Sequence, residues 1–113
     1  MSYEVNGKFL EATENGYLVS QDDWDKSAAA AIAAADGLAL TQDHWDVIEF
    51  LREAYFERNG EQPNNRAILK AMQEKWAGRQ VDNKTLFDLF PGNPSKQAGK
   101  IAGLPESMRK GGY

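Results

Sequence analysis

The residue types that carry most protein chemistry are sparse in this chain, and one is missing altogether. Its 113 residues include no cysteine. That excludes disulfides, thiolate zinc sites, cysteine-ligated iron–sulfur clusters and any thiol nucleophile. The single histidine, His44, leaves no basis for a histidine metal site. His44 lies one turn into an expected helix, beside Trp45, and no nucleophile or orienting acid is grouped with it. It therefore reads as a packing or capping histidine rather than a catalytic base. The adjacent acids Asp22 and Asp23 would point apart on a helix, so paired-carboxylate chemistry is not supported. No glycine-rich loop is placed to cradle phosphate. Trp24, Trp45 and Trp76 are expected as core or rim residues rather than as a binding slot. No metal, cofactor or enzymatic activity is expected.

Charge offers a different kind of chemistry. The net charge is −4. Residues 1–62 hold 4 basic and 13 acidic side chains, whereas residues 63–113 hold 9 basic and 4 acidic. A basic half beside an acidic half suits an acidic partner, although a solvated surface can carry the same asymmetry. Arg66, Lys70, Gln73 and Lys75 fall on one expected helix that follows a helix and a turn. The arrangement loosely resembles a helix-turn-helix, in which such side chains reach phosphates and base edges. DNA binding is thus one reading of this helix; a solvated face or a protein contact are the others.

These residues need elements to position them. A chain of this length fits one domain, and 42% hydrophobic residues supply a core. Tyr3, Val5, Phe9 and Leu10 flank Asn6-Gly7, a dipeptide that favours a two-residue hairpin turn. A second turn, Asn15-Gly16, precedes Tyr17-Leu18-Val19. Ser20 is the expected cap of an alanine-rich helix reaching about Ala35, with Trp24, Ala28, Ile32 and Ala35 on one face and Asp36-Gly37 ending it. Thr41 caps the strongest helix, from about Gln42 to Arg58, where His44, Val47, Ile48, Phe50, Leu51 and Tyr55 recur at helical spacing. Pro63-Asn64-Asn65 opens a helix to about Trp76, with Ile68, Leu69 and Met72 inward. Asp82 or Asn83 caps a short helix, and Pro91-Gly92-Asn93-Pro94 breaks it. Ser95 is the expected cap of a last helix ending near Gly103. From Leu104 the chain is expected to be a mobile arm. No stretch approaches the ~20 apolar residues that span a bilayer. The N-terminus lacks the basic and apolar regions of a secretory signal, and a cytoplasmic protein is expected. The class is α+β and helix-dominated, in one domain. It comprises a β-hairpin region at 1–20, a body of about five helices at 21–103, and an arm at 104–113.

Three segments point to a family. Leu40 to Tyr55, LTQDHWDVIEFLREAY, resembles the helix of DsrC/TusE proteins that contains HWxVIxFLRxxY. Leu89 to Lys96, LFPGNPSK, is similar to that family's LFPxGPxK turn. Lys96 to Pro105, KQAGKIAGLP, is similar to its KQACxxAGLP segment. The opening VNGKFLEATENGYL also resembles the family's hairpin. The resemblance implies a compact helical domain with an N-terminal hairpin and a C-terminal arm. In thiol-bearing members the arm carries one or two cysteines. It exchanges sulfur with siroheme sulfite reductase or passes persulfide sulfur toward tRNA thiolation.

The chain departs from that pattern where the chemistry resides. Gly99 stands where the resemblance puts the first arm cysteine, and Lys110 falls at the near-terminal one. Glu106-Ser107 replaces the usual Lys-Pro, and Gly92 precedes Asn93 in the turn. Persulfide and disulfide roles therefore do not carry over. Lysine forms no stable persulfide, and Met108 is a thioether without an ionisable S–H. The resemblance then implies a non-catalytic interaction or regulatory protein of sulfur metabolism. Its partner would be a sulfite reductase-like or sulfurtransferase-like complex, or a thiol-bearing paralogue. The residues expected to meet that partner are Gly99, Lys100, Gly103, Leu104, Pro105, Arg109 and Lys110. A DNA-binding regulator using helix 66–76 is the second reading. A thiol-free variant of a sulfur carrier is the third, although glycine and lysine are unusual deliberate replacements. No membrane partner is expected.

Overall fold

The computed structural model describes residues 1–106. Two strands, β1 (Ser2–Val5) and β2 (Lys8–Glu11), form an antiparallel hairpin. Asn6 and Gly7 take φ of 52° and 82° between them, the two left-handed positions that a type I′ turn requires. Tyr3 pairs with Leu10, and both side chains are buried. Glu4 pairs with Phe9, and both point outward. A bridge between Ala12 and Leu18 extends the hairpin along the far side of β2.

Five helices follow: α1 (Lys26–Ala35), α2 (Gln42–Glu57), α3 (Asn65–Lys75), α4 (Asn83–Leu89) and α5 (Pro94–Ile101). The last is short but central, since it packs against α1, α2, α3 and α4. Small residues make this approach feasible, because Ala98 and Ala102 present little bulk and are fully buried. The core is filled by Ile32, Ile48, Leu51, Ile68, Met72, Leu86, Phe90 and Ile101, none more than 2% exposed.

The first helix differs from expectation. Ser20 does not start it; a 3-10 turn at Gln21–Asp23 comes first, and the chain is extended at Trp24 and Asp25. Asp25 is the cap, its Oδ1 accepting the Ala28 N–H at 2.8 Å. The break frees Trp24 from the helix and directs its indole N–H to the Ile101 carbonyl, 2.8 Å away. Ala35, expected inward, is exposed.

Elsewhere the caps act as chemistry dictates. Thr41 precedes α2, and its N–H donates to His44 Nδ1 at 3.0 Å. That leaves the proton on Nε2, which donates to the Leu89 carbonyl at 2.9 Å. Both ring nitrogens are engaged, so His44 ties α2 to α4. Asn64 caps α3 and Asp82 caps α4. Ser95 does not cap α5: Asn93 does, at φ 96°, with Pro94 in the first helical position. The Ser95 N–H instead donates to Asn65 Oδ1 at 2.8 Å.

Candidate functional site

The residues of interest converge where α5 ends. Gly99 lies inside α5, half-buried, and a Cβ built there would meet nothing within 4 Å. Beside it is a small crevice bordered by Tyr17, Leu51, Gln62, Lys96, Leu104 and Pro105. The position could therefore hold a side chain without moving its neighbours.

The segment after Gly99 closes the helix. The Leu104 N–H donates to the Gly99 carbonyl at 3.0 Å, and the Gly103 N–H to the Lys100 carbonyl at 3.1 Å. With Gly103 at φ 76°, this is a Schellman termination. Gly103 is doubly constrained, because any Cβ would also drive into the Trp24 ring. Leu104 is 1% exposed and belongs to the core. An arm beginning at Leu104 is thus corrected. Leu104 is anchored by its own burial and cannot offer apolar contact to a partner from this position.

The end of α5 is held from outside as well. Trp24 takes the Ile101 carbonyl, and Arg52 Nη1 donates to the Ala102 carbonyl at 2.6 Å. The Arg52 guanidinium carbon lies over the Trp24 ring, 3.7 Å from its centroid, and 4.8 Å from that of Phe56. Burial pushes its guanidinium below the usual arginine range. Gln62 Nε2 donates to the Pro105 carbonyl at 2.8 Å. Asn15 Nδ2 donates to both Glu106 carboxylate oxygens at 3.0 Å. Arg109 and Lys110 lie outside the described residues.

Two lysines on α5 differ in availability. Lys100 is committed internally, 2.7 Å from Asp36 Oδ2. Lys96 has no ion-pair partner among the described residues, and its carbonyl accepts from the Tyr17 hydroxyl at 3.2 Å. Burial, reinforced by Glu106 and then Asp36, pushes the Tyr17 hydroxyl up to about 12. An open cleft of about 580 Å³ runs along this side between Asn15, Asp36, Gln97, Lys100 and Glu106.

The basic helix is only partly a unit. Arg66, Lys70 and Gln73 are exposed on one face of α3, although the Gln73 amide already donates to the Val81 carbonyl at 3.0 Å. Lys75 belongs elsewhere: nine residues after Arg66, it projects from the opposite side. There it lines a groove with Asp46, Glu49 and Glu53. Among the described residues no group of acids, histidine or cysteine is arranged to hold a metal ion. None of their helices is long and apolar enough to cross a membrane.

Comparison with known proteins decides the family. The family described as DsrC like protein matches residues 4–109. The chain belongs to the DsrC family. Among its relatives are proteins named sulfurtransferase TusE. The one from Yersinia pseudotuberculosis is 38% identical over 106 residues, covering 94% of this chain and 97% of that protein. The one from Salmonella typhimurium is 41% identical over 103 residues, covering 91% and 94%. The solution structure of DsrC from Allochromatium vinosum superposes with a TM-score of 0.84 at 40% identity, covering 96% of this chain and 98% of that one. Oxidized DsrC from Archaeoglobus fulgidus, the gamma-subunit of dissimilatory sulfite reductase, gives 0.87 at 30% identity with the same coverage. This DsrC-family protein therefore keeps the fold over nearly its whole length without any cysteine.

The sequence singled out Gly99 and Gly103, which lie inside α5 and at its end, but gave no sign of the clamp around them. Trp24 and Arg52 carried no pairing signal, since they lie 28 residues apart and are brought together by the fold at the end of α5.

Proposed function

We propose that this protein is a non-catalytic DsrC-family binding partner in sulfur metabolism. In this reading it docks where thiol-bearing relatives dock, and it regulates or competes with them without carrying sulfur. The observation that supports it is a preserved family fold around a glycine at position 99, in a chain with no cysteine at all. A sulfur carrier must hold its cargo on a thiolate, and none exists here. The partner is a sulfite reductase-like or sulfurtransferase-like complex, or a thiol-bearing paralogue. Gly99 and the segment Lys100 to Pro105 shape the base of the docking region, with Gly103 and Leu104 acting through the fold. Arg109 and Lys110 add attraction to an acidic partner surface, chiefly speeding encounter.

A second reading, DNA binding through α3, draws on Arg66 and Lys70, both exposed and without ion-pair partners among the described residues. Affinity capture from native lysate, with and without nuclease, separates the two. Recovery of a sulfur-metabolism complex that survives nuclease supports the first reading. Recovery of nucleic acid alone, lost with rising salt, replaces it with the second.

A further inference from the structure

Arg52 is unusual among the cations of this protein. Its guanidinium lies over both the Trp24 and Phe56 rings, at 3.7 and 4.8 Å from their centroids, and its Nη1 is fixed on the Ala102 carbonyl. Such a group has lost most of its rotational freedom before any ligand arrives. Yet guanidinium has five N–H donors, and the Ala102 carbonyl is the one described acceptor for them. Among the described residues no carboxylate forms an ion pair with Arg52. Burial pushes its guanidinium below the usual arginine range. The other arginines among the described residues are placed differently. Arg58 and Arg79 have acidic partners, and Arg66 is exposed with neither an ion pair nor a stacked ring among the described residues.

Phe56 strengthens the case. Phe56 is 51% exposed, an arrangement with little burial to recommend it, yet its ring lies against the guanidinium. Ring contacts take up none of the guanidinium's N–H donors as conventional hydrogen bonds, so those not on the Ala102 carbonyl are the route to a ligand. A planar, two-oxygen acceptor fits such donors by paired hydrogen bonds.

We propose that Arg52, in contact with Trp24 and Phe56, is a carboxylate-binding position that receives an aspartate or glutamate side chain of a partner protein. The proposal rests on the reading of the protein as a docking partner and names one chemical group of that partner. The site lies beside the Ala102 carbonyl, at the base of the C-terminal segment, so an acid bound there would register the partner against this end of α5.

The test needs no partner. The full chain, labelled with ¹⁵N, is titrated with acetate, and separately with glutamic acid blocked at its amino and α-carboxyl groups. Chloride at matched ionic strength is the control, and the arginine Nε–H signals are followed. The proposal expects a saturable Arg52 shift with a midpoint about fivefold or more below that of Arg66. The blocked glutamate must act at least as well as acetate; a response to acetate alone overturns the assignment to a protein side chain. Phe56→Leu keeps the charge and removes the ring, and it is expected to bring the Arg52 midpoint close to that of Arg66. An Arg52 response no stronger than that of Arg66, or one reproduced by chloride, overturns the proposal. These outcomes are independent of whether affinity capture recovers a sulfur-metabolism complex, so the docking reading can fail separately.

Discussion

At the scale of the residue, two glycines four positions apart in sequence have opposite surroundings. Gly99 is open and Gly103 is closed. Gly99→Cys should fold normally, with stability changed by less than about 0.5 kcal/mol, because its Cβ meets no neighbour and cysteine is no worse a helix former than glycine. A urea midpoint measures this, and a loss above about 1 kcal/mol would show the position to be enclosed. Gly103→Ala should behave oppositely. A left-handed alanine costs about 1–2 kcal/mol, and the methyl group also meets Trp24. Its urea midpoint should fall accordingly, and a neutral result would remove the Schellman account. This pair also explains why Ala102-Gly103-Leu104-Pro105 persists in a chain without thiols. The segment ends a core helix and buries Leu104, so folding alone requires it.

Tyr17 gives a prediction in pH. Its folded pKa is raised to about 12, whereas an unfolded tyrosine titrates near 10. The native state therefore binds the proton more tightly. The resulting stability is complete below pH ~10 and is lost as pH rises toward ~12. Tyr17→Phe should flatten that part of the stability–pH curve. An unfolding series across this range, with tyrosinate absorbance on the native protein, is the check. A tyrosinate signal for Tyr17 appearing near pH ~10 would contradict the burial argument.

At the scale of the element, α5 organises the molecule and α2 supplies its largest core face. Leu51→Ala should cost ~2–5 kcal/mol, since Leu51 is 2% exposed. The same change at Leu69, half-buried at the edge of the core, should cost clearly less; equal losses in thermal or urea unfolding would mean the core is misplaced. The helices α2, α3 and α4 were legible because caps and apolar spacing agree locally: Thr41 before His44-Val47-Ile48, Asn64 before Ile68-Met72, Asp82 before Leu86. The hairpin was legible from Asn6-Gly7. The start of α1 was not. Ser20 followed by two acids is a sound local signal, but the Trp24 indole is drawn away to the Ile101 carbonyl, and Asp25 becomes the better cap. Ser95 failed similarly, because its N–H is claimed by Asn65 from another helix. Long-range hydrogen bonds of this kind leave no periodic trace in a sequence, and the Arg52 clamp escaped notice for that reason.

At the scale of the whole molecule, the protein combines a family fold with the absence of the family's reactive atom. Its family was readable from three ordered segments, and the matches over residues 4–109 bear that out. The partner was not readable, since docking depends on surface chemistry that only assembled elements create. Arg52 beside Trp24 is one such surface, formed by residues from two elements around a third. The central claim is that docking survives without sulfur transfer. The most direct measurement is a competition. A labelled thiol-bearing relative is bound to its partner complex, this protein is added in increasing amounts, and the displaced label is counted. A persulfide donor is present, and intact mass is taken on the recovered protein. The account predicts displacement with no gain of a sulfur atom by this chain. Failure to displace the relative at large excess, or a stoichiometric gain of sulfur on this chain, would contradict it.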